Sequence, residues 1–256
     1  MAVIEIRHLR KAYGKPVLNG VNLIVEAGTI LGYLGPNGAG KSTTIKILTG
    51  MIPDFDGEVS VLGWDIRTHP MEVKRRIGYV PEQGALYEVL TPMEYLVFIG
   101  QLYGMAAPDI ESKAEALLHI FGLQDVRKKR MNSFSKGMKQ KVLIIAGLLH
   151  NPDLIFLDEP LNGLDANAVL LMKQILAQLA QEGKTIFYSS HLMDVVEKIS
   201  HRIVILDYGR VVADGTFEDL RKKSHHGSLE DIFKGLTNTR QTETEASHFM
   251  DILKWS

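Results

Sequence analysis

The stretch "GPNGAGKST", Gly35–Thr43, decides how the rest of the chain is read. It fits the spacing G-x-x-x-x-G-K-[ST]. An apolar run, "TILGYL" (Thr29–Leu34), precedes it, and a helical run, "TIKILTG", follows. Glycines let the backbone curl until successive N–H groups point at one anion. The helix behind adds the positive end of its dipole. In such a loop Lys41 reaches the β- and γ-phosphates of a nucleotide, and Ser42 offers a hydroxyl to Mg²⁺. The competing reading is an ordinary glycine-rich loop, and the strand before and helix after count against it. The candidate nucleotide-binding set is Gly35, Pro36, Asn37, Gly38, Ala39, Gly40, Lys41, Ser42 and Thr43.

A second stretch, "LIFLDEP", completes the first. Leu154–Leu157 read as a buried strand that delivers Asp158 and Glu159 to its C-terminal end, where open α/β sheets hold their ligands. Two adjacent carboxylates on an apolar strand are costly unless something cationic lies near. Asp158 is assigned to Mg²⁺ through water, and Glu159 is assigned as the base that orients an attacking water. The plainer alternative for the pair is a surface turn after a strand.

Outward from these two points, Val3–Ile6 and Val17–Val25 alternate as strands, as do Glu58–Leu62 and Ile77–Val80. From about Gly84 to His150 the texture is helical, and "PMEYLVFIGQLYG" and "DIESKAEALLHIFG" each end at a glycine suited to close a helix. Strand and helix then alternate through "ANAVLLMKQILAQLAQEG", "TIFYS" and "IVILD". Val169, Met172, Ile175, Leu176 and Leu179 share one helical face. Strands apolar on both faces suit a parallel sheet covered by helices. The expected fold is therefore α/β with a mostly parallel sheet; the family that the motifs below resemble implies a nucleoside-triphosphatase core with an antiparallel β region near the N-terminus and an inserted helical subdomain. Residues 1–83 and 151–215 form the ATP-binding core in this reading, 84–150 the helical insertion, and 216–256 a C-terminal helical extension and tail. "TNTRQTETEAS" reads as a polar linker and "SHFMDILKWS" as an amphipathic helix. No repeat of 20–50 residues is seen.

Composition narrows the function. The chain has 256 residues, 45% of them apolar, which is enough for one or two cored domains. A net charge of −1 gives no global pull toward nucleic acid, and the "RKKR" run at Arg127–Arg130 reads as a solvated turn. The absence of cysteine excludes disulfides and thiolate metal sites and is compatible with a reducing compartment. Nine histidines show no H-E-x-x-H spacing, so none is assigned a metal. Charges run through "MAVIEIRHLRKAYG", which is unlike a signal peptide, and the apolar runs fall short of the roughly 20 residues a bilayer needs. A protein soluble by itself is expected, with a membrane-bound partner still allowed.

In order along the chain, "GPNGAGKST", "FSKGMKQ", "LIFLDEP", "LNGLD" and "SSH" resemble the motifs of the ATP-binding subunit of an ABC transporter. The resemblance spans Val3 to about Leu236. It implies that "FSKGMKQ" stands where the family signature stands, that Leu161–Asp165 form the D-loop, and that His191 senses the γ-phosphate. Tyr13, 28 residues before Lys41, resembles the aromatic that stacks on adenine. The family packs two copies head to tail. Ser135 and the Gly137 backbone, at a helix start, would bind the γ-phosphate held by a partner's phosphate loop. Taken alone, Ser135 is a plain helix N-cap.

Two departures stand out. Where the family commonly places Gln after "GYVP", Glu82 stands first and Gln83 next; either is a candidate for Mg²⁺ and the attacking water. The signature carries Lys136, which adds a cation near the phosphate. "SLEDIFKGLT", with "YVPEQGALYEVLTPMEYL", is similar to the exporter-type, ABC-2-like branch. The resemblance thus implies an ATP hydrolase using ATP and Mg²⁺. Its partners would be a second ATPase subunit, identical or a paralogue, and an integral membrane permease that holds it on the cytoplasmic face of the cell membrane. The aromatic-rich stretch from Leu86 through Tyr87, Leu90, Tyr95, Phe98 and Tyr103 reads either as core or as a groove for a permease helix. The alternative function is a soluble ATPase of this type acting on nucleic acid or ribosomes. A neutral charge, no long coiled-coil insertion and a single cassette argue against it. A guanine-binding N-K-x-D is also missing.

Overall fold

The computed structural model describes residues 1–82, 84, 86–224, 227–237 and 252. Its strands form two sheets. The first is antiparallel. β1 (Ala2–Tyr13) and β2 (Lys15–Glu26) form a long hairpin, followed after the second sheet's first strand, β3 (Ile30–Leu34), by β4 (Asp56–Val61) and the short β5 (Trp64–Asp65). The order in this sheet is β2-β1-β4-β5. Helix α1 (Lys41–Leu48) follows β3, and α2 (Pro70–Lys74) leads into β6 (Ile77–Val80).

Helices then take over: α3 (Pro92–Leu102), α4 (Ala107–Ile120) and α5 (Lys136–Leu148). Alternation resumes with β7 (Leu154–Asp158), α6 (Ala166–Gln181), β8 (Thr185–Ser189), α7 (Met193–Ile199), β9 (Arg202–Asp207) and β10 (Arg210–Gly215). Two short helices, α8 (Phe217–Ser224) and α9 (Leu229–Leu236), come last among the described residues. The second sheet runs β10-β9-β3-β8-β7-β6, all parallel except β10. Its central strands β3, β7 and β8 are buried at every position, as strands covered on both faces must be.

The caps follow local chemistry. Thr91 and Glu94 form a reciprocal capping box at the start of α3. Gly104 and Gly122, at φ +72° and +70°, stand just past the ends of α3 and α4 as the two "YG" and "FG" closures predicted. On α6, Met172 and Leu176 are buried, with Val169, Ile175 and Leu179 packed beside them, so the predicted face is the inward one.

Two differences from expectation concern the first hairpin and the sheet edge. β1 runs through Tyr13 instead of ending at Ile6. Its alternation breaks because the pairing slips on both sides of His8, which sits at φ +51° and whose N–H donates to Asn22 Oδ1 at 2.8 Å. β10 was not expected, since no position of this edge strand is fully buried and it lacks the apolar run that marked β7, β8 and β9. In the aromatic stretch the core reading holds for some residues and not for others. Tyr95 is buried and Leu86 and Leu90 pack on the core, while Tyr87 and Phe98 meet edge to face on the surface.

Two apolar clusters hold the molecule. The smaller packs the antiparallel sheet and α1 against one face of the second sheet. The larger joins the opposite face, through Ile155, Leu157 and Ile186, to α3, α4 and α5, through Leu96, Ile110 and Ile144.

Candidate functional site

The loop between β3 and α1 wraps a cleft of about 700 Å³. Gly35, Pro36, Asn37, Gly38, Gly40, Lys41, Ser42 and Thr43 line it; Ala39 points inward and is buried. Gly40 has φ +108°, and a β-carbon there would stand 2.6 Å from Leu18 Cδ2. β2 therefore presses on the loop from behind, and only glycine fits. With no side chain capping α1, the N–H groups of its first turn face the cleft, an arrangement suited to anions.

Lys41 is buried and spans the loop it starts from. Its Nζ donates to the Gly35 carbonyl at 2.7 Å and to the Pro36 carbonyl at 3.3 Å. Burial pushes its pKa below the ordinary lysine value, and the carboxylates of Glu159, Asp158 and Glu82 pull the other way. The cation the carboxylates needed is thus across the cleft from them.

Asp158 ends β7 and is buried, with Oδ1 accepting from the Ser189 hydroxyl at 2.6 Å. Glu159 follows at φ +50°, an uncommon backbone state for a residue with a side chain. Its N–H donates to the Ser189 carbonyl at 3.0 Å, and its own carbonyl accepts from Asn162 at 3.2 Å, so flanking bonds hold the turn. Its side chain is buried yet lines the cleft. His191 Nδ1 lies 2.8 Å from Glu159 Oε2, and the His191 backbone N–H donates to the same oxygen at 3.3 Å. His191, 57% exposed, therefore faces solvent beside a carboxylate that does not. Glu82 reaches the lining as well; Gln83 lies outside the described residues. Ser42, Asp158 and Glu82 give an all-oxygen donor set around one space, the chemistry Mg²⁺ prefers.

Besides Ala39, three expected residues do not line this cleft. Tyr13 stands at the hairpin end, 57% exposed, with Lys11 Nζ 4.9 Å from its ring centre. Ser135 caps α5, its hydroxyl accepting from the Met138 N–H at 3.2 Å, and is exposed outside the cleft lining. Gly137 has a reason the sequence did not offer. A β-carbon there would stand less than 3.0 Å from the Gly163 carbonyl oxygen, so α5 lies directly on the turn after Glu159. The buried Gln140 ties the same two elements, donating to the Pro160 carbonyl at 3.1 Å. Sequence reasoning also missed Ser189, Val17, Met193 and Phe233. The "SSH" spacing could have flagged Ser189; Phe233 lies within "SLEDIFKGLT", whose resemblance pointed to a branch of the family and not to the cleft.

A strand, a glycine loop gripping a lysine, and a helix N-terminus, with an Asp–Glu pair ending the parallel strand next but one, define a P-loop nucleoside triphosphatase. Residues 18–162 match the family described as "ABC transporter". The chain is 38% identical over 219 residues to the linearmycin resistance ATP-binding protein LnrL of Bacillus subtilis, covering 85% of this chain and 70% of that one. A solved ATP-binding subunit of an ABC transporter superposes with a TM-score of 0.85 at 34% identity, over 91% of this chain and 99% of that one. A dimeric ATP-binding cassette in a post-hydrolysis state with ADP and Pi superposes with a TM-score of 0.78 at 25% identity, over 83% and 98%. The chain belongs to the ABC transporter family. It is an ATP-binding and ATP-hydrolysing cassette of the kind that pairs around ATP to power a membrane permease. No helix among the described residues is long and apolar enough to cross a membrane.

Proposed function

We propose that the cleft takes ATP with Mg²⁺ and that a second cassette closes it. The observation that carries this reading is a division of labour within one chain. Lys41, Asp158, Glu159 and His191 converge on one cleft, while Ser135 and the start of α5 sit outside it. In a head-to-tail pair, Ser135 and the Gly137 backbone meet the γ-phosphate on the partner's Lys41 loop, with Lys136 adding a cation. ATP carries about three to four negative charges, which bind two such surfaces together until hydrolysis removes the bridge.

The residue roles follow from position. The loop from Gly35 to Thr43 cradles the phosphates; Lys41 exchanges its carbonyl partners for phosphate oxygens. Ser42, Asp158 and Glu82 are the groups that would hold Mg²⁺, with Gln83 a second candidate beside Glu82; the ion would neutralise phosphate charge. Glu159, buried and fixed by its turn, orients and deprotonates the attacking water. His191, free on its outer side, bridges Glu159 to the γ-phosphate and registers its loss. Tyr13 covers the adenine once nucleotide is present. The permease is of exporter type, in keeping with the resistance role in the LnrL name, and holds the cassette on the cytoplasmic face.

Glu159→Gln tests the assignment. It should bind ATP as the parent does, lose hydrolysis, and move to ATP-dependent dimers by light scattering. Hydrolysis at the parental rate removes Glu159 from this role.

A further inference from the structure

One wall of the cleft comes from outside the motifs. Met193 and Phe233 line it together with Lys41, Glu159 and His191. Phe233 belongs to α9 and is 7% exposed. It also lines a second cavity of about 500 Å³, and His191 and Met193 line that one too. Phe233 and Met193 thus form a partition between the two spaces, with His191 at its edge.

The partition is anchored through α9. This helix packs on α7, which begins two residues after His191. The Leu229 N–H, at the start of α9, donates to Glu197 Oε2 on α7 at 3.1 Å. Leu229 and Ile232 are buried in the same cluster as Val195 and Val196. α7 has no side-chain cap at its own start; the turn from His191 to Met193 is held locally by the Leu192 N–H, which donates to Ser190 Oγ at 3.0 Å. His191 itself is held by Glu159 alone among the described polar contacts.

We propose that Phe233 is a positioning residue for hydrolysis. Docked on α7 by α9, its ring backs the His191–Met193 turn and keeps His191 on Glu159. It offers no polar atom to a nucleotide, so its effect falls on turnover and not on binding. Without the ring the two cavities join, and the turn gains room to sag away from the cleft. The inference rests on the roles of His191 and Glu159 given above.

The test is a double-mutant cycle in the full chain: parent, Phe233→Ala, His191→Ala and the double variant, each assayed for steady-state ATP hydrolysis. Phe233→Ala should lower kcat about tenfold, leave KM for ATP within about threefold, and add less than about twofold on the His191→Ala background. Phe233→Leu should restore most of the rate. An equal loss on both backgrounds, or a parental kcat in Phe233→Ala beside an impaired His191→Ala, overturns the proposal. A parental kcat in His191→Ala overturns the role of His191 itself, which the cycle thereby separates. Should Phe233→Ala fail to fold, Glu197→Ala releases the α9 N-terminus instead and must show the same dependence on His191.

Discussion

Gly137→Ala sets two physical effects of opposite sign against each other. The position lies in the first turn of α5, where alanine would ordinarily favour the helix by up to about 1 kcal/mol. Against that, the new β-carbon would stand less than 3.0 Å from the Gly163 carbonyl oxygen. Carbon–oxygen approaches in proteins settle at about 3.3 Å or more, so the turn or the helix must retreat by at least a few tenths of an ångström. Neither side can yield by rotating a side chain, because the obstacle is backbone. Overpacking of this kind costs about 1–3 kcal/mol. Gln140 on the Pro160 carbonyl resists the retreat from the same side. The net expectation is a loss of about 1–2 kcal/mol, or a fall in Tm of roughly 2–8 °C by scanning calorimetry without nucleotide. ATP hydrolysis should fall as well, since the displaced turn follows Glu159 directly. An unchanged or higher Tm would refute the packing argument, whatever happened to activity. A parental Tm with lost hydrolysis would leave Gly137 a role toward ligand alone.

Lys41→Ala should weaken ATP binding by at least about tenfold in a fluorescent-nucleotide titration, because it removes both the cation and the brace across Gly35 and Pro36; unchanged affinity would take Lys41 out of the site. A pH effect is expected at His150, which stacks on Tyr103 and donates from Nε2 to the Ile77 carbonyl at 2.9 Å. Burial lowers its pKa below the usual 6.5, the Ile77 bond opposes this, and Lys113 and Lys184 add to it. The folded state therefore favours the neutral ring. Its contribution is complete above pH 6.5 and is lost as pH falls through the folded pKa. His150→Phe keeps the stack, so its urea stability should fall less than the parent's between about pH 7 and about pH 5. Parallel pH profiles would exclude His150 as a source of acid sensitivity.

The parts of the fold legible in the sequence were those whose physics is local. The glycine loop between a strand and a helix, the carboxylate pair after an apolar strand, and the glycines closing α3 and α4 all appear where spacing placed them. What was hidden depends on distant segments. β1 was read short because the slip at His8 breaks a period that only the partner strands restore. Gly137 looked like a ligand residue, while its close approach to Gly163 needs two segments to be seen together. Tyr13 matched by distance from Lys41, yet the hairpin leaves it beside Lys11 and away from the cleft wall. Phe233 lay inside the recognised "SLEDIFKGLT" stretch but carried no signal for the cleft, since an apolar residue on a short amphipathic helix is ordinary until the helix is docked.

The larger apolar cluster passes without a break from the sheet strands into α3, α4 and α5. Swapping the helical insertion between related cassettes is therefore a transplant across living tissue, and residues such as Leu157 and Ile186 must match the incoming graft. A chimera joined only at the apparent boundaries would inherit a mismatched seam, and its first symptom would be poor folding well before any change in what it helps to move.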